Sequence, residues 1–311
     1  MRRLDTEQKG VIFAVVEIFI SGLYPVITKY GVGFLNPLFF AAISALIGSG
    51  FMIVVLKFRR ELRQLFSREL IKYFIPIGFF GTFATAVFFF LGSTTTSGIN
   101  SSILLQVEPL YSLVLSYFIL KELIKKKQVA LTLLILGGAI VILYNGVLSI
   151  NIGVILVIIS PLFWQISHLF AKRIFEKTSL YVVAASRSFY GGILLFALTL
   201  IPGISQYGFL TDPGILLIFV LQGLTAFVGA IVVWYAVITR INLSKATAIV
   251  GVYPIFSVIL AWIFLGESVS IYQIIGLAIV VVGILLLSQV RSEKREEKKP
   301  QTKMEERMRK A

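Results

Sequence analysis

Apolar runs of about 20 residues follow one another along this chain, separated by short polar breaks. Ten can be drawn: 10–30, 37–57, 73–92, 98–120, 128–145, 151–171, 180–201, 214–237, 244–265 and 271–289. A helix of that length crosses a hydrocarbon core of about 30 Å at roughly 1.5 Å per residue. The breaks carry turn and charge signals, among them "GVGFLNP", "KELIKKKQ", "YNGVLSIN" and "IPGISQYGFLTDPG". Pro37 and Pro213 fall at helix starts, where a first-turn N–H has no partner to lose. The pattern predicts an all-α polytopic membrane protein with ten transmembrane helices. The first run, 11–30, is expected to be a span and not a cleaved leader, because it is long, contains Glu17 and lacks a small-residue cleavage site.

The chain also repeats itself. Shifted by 145 residues, 75–144 overlays 220–289 without a gap, pairing Gly78 with Gly223, Pro109 with Pro254, Ser112 with Ser257, Glu122 with Glu267 and Gln128 with Gln273. At a shift of 143, the "GVI" at 10–12 meets "GVI" at 153–155, and Lys29 meets Lys172. The division is therefore a first five-helix repeat (10–145) and a second (151–289), between an N-terminal segment 1–9 and a charged tail 290–311. Five is odd, so the second repeat is expected upside down relative to the first. Inverted repeats whose broken helices meet near the membrane midplane are a recurring plan of secondary transporters. Duplication within another class of membrane protein is the plainer reading of the repeat.

Composition agrees with burial in lipid: of 311 residues 58% are hydrophobic and 14% charged, against about a quarter charged in a soluble domain. The net charge of +14 raises the question of nucleic acid, but its placement answers it. With the N-terminus inside, 27 of the 29 Lys and Arg fall in inner segments, leaving Lys29 and Arg187. That is the positive-inside distribution. The expected setting is the cytoplasmic (plasma or inner) membrane, crossed many times, with both termini cytoplasmic, a lipid bilayer as partner and no nucleic acid. Segment 57–72 alternates Arg and Lys with Leu62, Leu65, Phe66 and Leu70, and is expected to lie on the inner surface as a short amphipathic helix. There is no cysteine, which excludes disulfides and thiolate chemistry.

Ionisable groups within spans cost about 2.5–3.5 kcal/mol each on insertion scales and call for a partner or water. Glu108 stands near the middle of the fourth run, beside Pro109, which removes a backbone N–H and frees carbonyls. Such a break is tolerated only against protein or a water-filled cavity. Pro254, following Tyr253, is its repeat partner, so the two broken helices are expected to face each other, with Gln106, Glu108, Tyr111 and Tyr253 at a substrate path. The plainer role for Glu108 is a hydrogen-bonded packing residue. In the sixth run, Trp164 and Gln165 lie near mid-depth, and Trp164 shares a helix face with His168, the single histidine. Gln222, with Thr225, is a further cavity candidate. Glu17 and Arg187 sit at equal depth in the first and seventh runs and are expected to form an ion pair, as gate or structural tie, with proton or cation coupling the sharper role for Glu17. Glu122 and Glu267 are expected to tie turns at helix N-termini. The small-residue stretches Gly137–Gly138, Gly191–Gly192 and 276–283 permit close helix contact, within the bundle or in a homodimer.

Each half ends in "L-x-E", a Gln and a Gly-rich helix ("LKELIKKKQVALTLLILGG", "LGESVSIYQIIGLAIVVVG"). Over residues 10–289 this resembles the EamA family of the drug/metabolite transporter superfamily. The resemblance implies ten helices, a rocking cycle and frequent export of amino acids or other metabolites. It also implies a proton site at a first-helix glutamate. Here Ser21 stands at about that position and Glu17 one turn earlier.

The reading that follows is a gradient-driven transporter of small organic metabolites, in the export direction, with no cofactor and no metal. An intramembrane enzyme acting on a lipid or lipid-linked substrate is the alternative. It finds no support in the residues, which contain no HExxH, no second histidine and no phosphate loop.

Overall fold

The computed structural model describes residues 6–119, 122–144, 150–241, 246, 249–290 and 293–294. Most of the expected tail, the basic residues Arg2, Arg3, Lys121 and Lys245, and the side chain of Glu122 lie outside the described residues. Among the described residues, eight helices are long and apolar enough to cross a membrane: α1 (Thr6–Val32), α2 (Pro37–Phe58), α3 (Ile71–Thr95), α5 (Lys126–Tyr144), α6 (Ile152–Lys172), α7 (Leu180–Leu198), α8 (Pro213–Ile238) and α10 (Ile271–Ser288). The two spans that contain the repeat-paired prolines are interrupted. In α4, Gly98–Leu104 and Glu108–Phe118 are joined by a 3-10 turn at Leu105–Val107. In α9, Tyr253–Leu265 follows a turn at 251–252. The only strands among the described residues are Glu122–Leu123 and Glu293–Lys294, a two-residue antiparallel ladder.

The polar breaks end and restart helices by capping. Asn36 accepts from the N–H groups of Leu38 and Phe39 ahead of α2, and Asp212 from those of Gly214 and Ile215 ahead of α8. Ser97, Asn151 and Ser179 do the same for α4, α6 and α7. The repeat-paired glutamines are caps too. Gln273 closes a capping box with Ser270, and Gln128 accepts from the N–H of Lys125 at 2.8 Å. Glu267 does cap a helix N-terminus, but that of α4 in the other repeat and not its own turn, accepting from the N–H groups of Gly98 (2.6 Å) and Ile99 (2.9 Å). Lys29 donates to the carbonyls of Ser93 and Thr94, closing the end of α3.

Packing depends on small residues. At Gly276 of α10 an added Cβ would lie 2.7 Å from the carbonyl oxygen of Gly138 in α5, and at Gly138 it would lie 2.9 Å from that of Gly276. These glycines thus hold α5 and α10 together within the bundle. Gly191 sets α7 against Gly78 and Thr82 of α3 in the same way. Near the loop end holding residues 33–36 and 199–212, buried Phe39, Phe40, Phe89, Phe90 and Phe219 form one cluster. Its rings meet edge to face, Phe40 standing 5.4 Å from Phe90 and 5.5 Å from Phe219.

The connection 57–72 departs from expectation. Its only helical turn is the five-residue 3-10 segment Leu62–Phe66, with Leu65 buried. Glu61 accepts from Ser179, and Arg59 lies 4.0 Å from the centre of the Tyr181 ring. Leu65 and Leu70 are buried in a cluster with Val182 and Val183 of α7, while Phe66 stays exposed, so the segment packs on protein through part of its apolar face.

Two helices carry a further irregularity. Phe79–Ala84 in α3 and Thr225–Gly229 in α8 are π-turns. Ala84 and Gly229, their last residues, are 145 apart, the offset of the repeat. Such turns widen a helix locally and expose carbonyls to outside partners.

Candidate functional site: a cavity on the repeat axis

The two interrupted helices touch at their breaks. The Gln106 side chain donates to the carbonyl of Gly251 at 3.0 Å, a pair separated by 145 residues and so equivalent in the two repeats. Beside this contact lies a cavity of about 160 Å³, bounded by α1, α3, α4, α6, α7, α8 and α9. Its walls are built from repeat-related pairs: Thr82 and Phe227, Thr85 and Ala230, Ala86 and Ile231, Glu108 and Tyr253. The two π-turns supply part of this lining through Gly81 and Thr82 on one side and Ala226 and Phe227 on the other. The scaffold is symmetric but its chemistry is not. Helices α3 and α4 contribute hydroxyls, an amide and a carboxylate, whereas α8 and α9 contribute mainly apolar side chains and Tyr253.

Seven of the ten residues singled out from sequence line this cavity: Glu17, Gln106, Glu108, Trp164, His168, Arg187 and Tyr253. Gln165 stands behind the wall and donates to the Glu108 carboxylate, fixing it next to Trp164. Tyr253 lines the same cavity as Glu17, Tyr24 and Glu108. Trp164 and His168 share the cavity face, as their spacing predicts.

Two candidates point elsewhere. The Tyr111 hydroxyl donates to the carbonyl of Ile158 at 2.9 Å, tying α4 to α6. Gln222 is fully buried and donates to the Thr28 hydroxyl, tying α8 to α1, while Thr225 donates to carbonyls of its own helix. Both tie helices together outside the cavity, because the rotation of a helix is not set by depth alone.

The expected ion pair between Glu17 and Arg187 is not formed. Glu17 accepts from Ser21, one turn on, at 2.7 Å, and its second carboxylate oxygen is buried without a hydrogen-bond partner. Arg187 donates through Nε (3.1 Å) and Nη2 (2.8 Å) to the carbonyl of Gly81 in the α3 π-turn, with Nη1 3.4 Å from His168 Nε2. Equal depth placed the two groups level, but they serve different walls.

The sequence reading missed Tyr24, Thr82, Thr85 and Trp234. For the two threonines the signal lies in the repeat: at the 145-residue offset Thr82 aligns with Phe227 and Thr85 with Ala230. Tyr24 also links the cavity to the aromatic cluster, its ring 4.7 Å from that of Phe89. Among the described residues no group of three His, Cys, Asp or Glu side chains forms a metal site.

Comparison with known proteins agrees with this architecture. The model of the EamA-like transporter family matches residues 8–144 and 151–289. A protein of Methanothermobacter thermautotrophicus described as an uncharacterized transporter is 28% identical over 66% of this chain, and the match spans 61% of that relative's length. The uncharacterized transporter YyaM of Bacillus subtilis is 22% identical over 85% of this chain and 88% of its own. An uncharacterized transporter of Archaeoglobus fulgidus is 24% identical, covering 91% of this chain and all of its own length. A solved crystal structure at 18% identity superposes with a TM-score of 0.67 over 89% of this chain and 96% of that one, a likeness of fold. The chain belongs to the EamA-like transporter family and is a multi-pass membrane transporter, not an enzyme.

Proposed function

We propose that this protein is a secondary transporter that moves small organic metabolites, amino acids or related compounds, out of the cell by alternating access. The observation that carries the reading is the cavity beside the Gln106–Gly251 contact, where both repeats break their helices and supply equivalent wall positions. Its volume of about 160 Å³ suits a small guest, since a cavity of about 150 Å³ holds benzene. The aromatic cluster of Phe39, Phe40, Phe89, Phe90 and Phe219 acts as the closed gate at the end that the charge pattern assigns to the outside. In this reading the bundle sits in the plasma or inner membrane with both termini inside.

In this account Glu108, held by Gln165 and flanked by Trp164, binds cargo with Gln106 and Tyr253 nearby. Glu17 carries the coupling proton or cation, its unpartnered oxygen buried in the cavity wall. Arg187, which lines the same cavity, grips the α3 π-turn and approaches His168, links the site to gating. The test is counterflow in proteoliposomes: labelled cargo should accumulate against internal unlabelled cargo without ATP. Chemical conversion of the cargo, or accumulation only with ATP, would reject this reading.

A further inference from the structure

Arg187 has an incomplete set of partners. It is only 9% exposed, lies within a membrane-spanning helix and lines the cavity, yet it forms no ion pair among the described residues. Its hydrogen-bond partners are neutral: the Gly81 carbonyl, shared by two of its nitrogens, and a histidine nitrogen. A guanidinium has five donors in a planar fork that matches an oxyanion, and charge-assisted bonds to one are about twice as strong as bonds to a neutral acceptor. Neither carboxylate in the same cavity hydrogen-bonds to it: Glu17 accepts from Ser21 and Glu108 from Gln165. The same cavity is lined by the apolar and aromatic side chains of Phe227, Ile231 and Trp234, the last with its ring 6.5 Å from that of His168, the neighbour of Arg187. Burial of an unpaired cation in a bilayer is expensive, and such groups mark substrate paths.

We propose that Arg187 is the anchoring residue for a carboxylate on the cargo, so that the site selects small amphiphilic organic acids whose apolar part rests on Phe227, Ile231 and Trp234. This rests on the transport reading above and names the cargo's anionic group. On binding, the carboxylate takes over guanidinium donors that otherwise meet the Gly81 carbonyl and His168.

Three compounds that differ only in the head group test it: phenylacetate, phenylacetamide and 2-phenylethylamine. Binding to the purified full chain in nanodiscs is read by tryptophan fluorescence, since Trp164 and Trp234 line the cavity, and by thermal shift. Phenylacetate should bind at least about tenfold tighter than the amide or the amine, roughly 1.4 kcal/mol. Arg187→Gln should abolish that preference, and Arg187→Lys, which keeps the charge but loses the fork, should retain part of it. Should the Gln variant misfold, a Lys variant with full preference for carboxylate would overturn the fork geometry. Equal binding of all three head groups, preference for the amine, no binding of phenylacetate, or a preference that survives Arg187→Gln overturns the assignment. Proteoliposome flux separates the two readings. Transport of compounds lacking a carboxylate, with no effect of Arg187→Gln, leaves transport standing and removes Arg187 as anchor. Carboxylate-selective binding with no flux for any compound does the reverse.

Discussion

Gln106 donates a hydrogen bond to Gly251, the residue that occupies its own position in the other half of the protein. The contact sits where both helices are broken, so it joins the repeats through a backbone carbonyl at the break. Replacing Gln106 by Leu keeps the bulk and removes the donor. The expected loss is about 1 kcal/mol of stability, seen as a lower melting temperature in detergent, with cargo affinity falling in step because the cavity wall is no longer tied. An unchanged melting curve would separate this contact from stability.

Glu108 is expected to matter to flux and not to assembly. Glu108→Gln should insert and fold normally while transport drops by about tenfold or more, roughly 1.4 kcal/mol of barrier. Gln165→Ala should follow in the same direction with a smaller effect, because Gln165 only holds the carboxylate in place. Proteoliposome flux normalised to inserted protein decides it.

Glu267 caps α4 from the other repeat. Glu267→Ala strands two backbone donors and should cost about 1–2 kcal/mol, whereas the affinity for cargo at folded protein should stay near wild type. Thermal unfolding with a parallel binding measurement separates the two.

The contact between α5 and α10 leaves no room at Gly276, where a Cβ would stand 2.7 Å from the Gly138 carbonyl. Gly276→Val should therefore destabilise by about 1–3 kcal/mol through overpacking. Gly137, with open space around it, should accept Ala almost without effect.

Because Glu17 and Arg187 serve separate walls, the stability changes of Glu17→Gln and Arg187→Gln should add to within about 0.5 kcal/mol. A large coupling energy between them would restore the ion pair that the geometry does not contain.

Much of this molecule was legible as sequence because lipid imposes simple rules. Apolar length marked the spans, basic residues oriented the expected topology, and scarce Pro, Glu and Gln exposed the repeat among aliphatic residues that carry little information. The breaks at Pro109 and Pro254 led directly to Glu108 and Tyr253 on the cavity. What stayed hidden was rotation about helix axes. A helix that is apolar all round has no polar stripe to show which face meets protein, so Gln222 and Tyr111 were placed at the right depth but on the wrong side. The π-turns were also invisible, since an i to i+5 bond leaves no residue signature in "FFGTFA" or "TAFVG". Yet those turns bring Thr82 and Phe227 to the lining.

The central claim is that the space between the repeats is the route taken by cargo, opening to one face at a time. The chain has no cysteine, so Ala230→Cys places a single thiol on the cavity wall. Its reaction with a membrane-impermeant thiol reagent can be followed in sealed vesicles of each orientation, with and without cargo. The account predicts labelling from one face at a time, slowed by bound cargo, with access from the other face only when a cargo gradient drives turnover. A thiol that reacts from neither face, or at a rate that cargo and gradient leave unchanged, would contradict it.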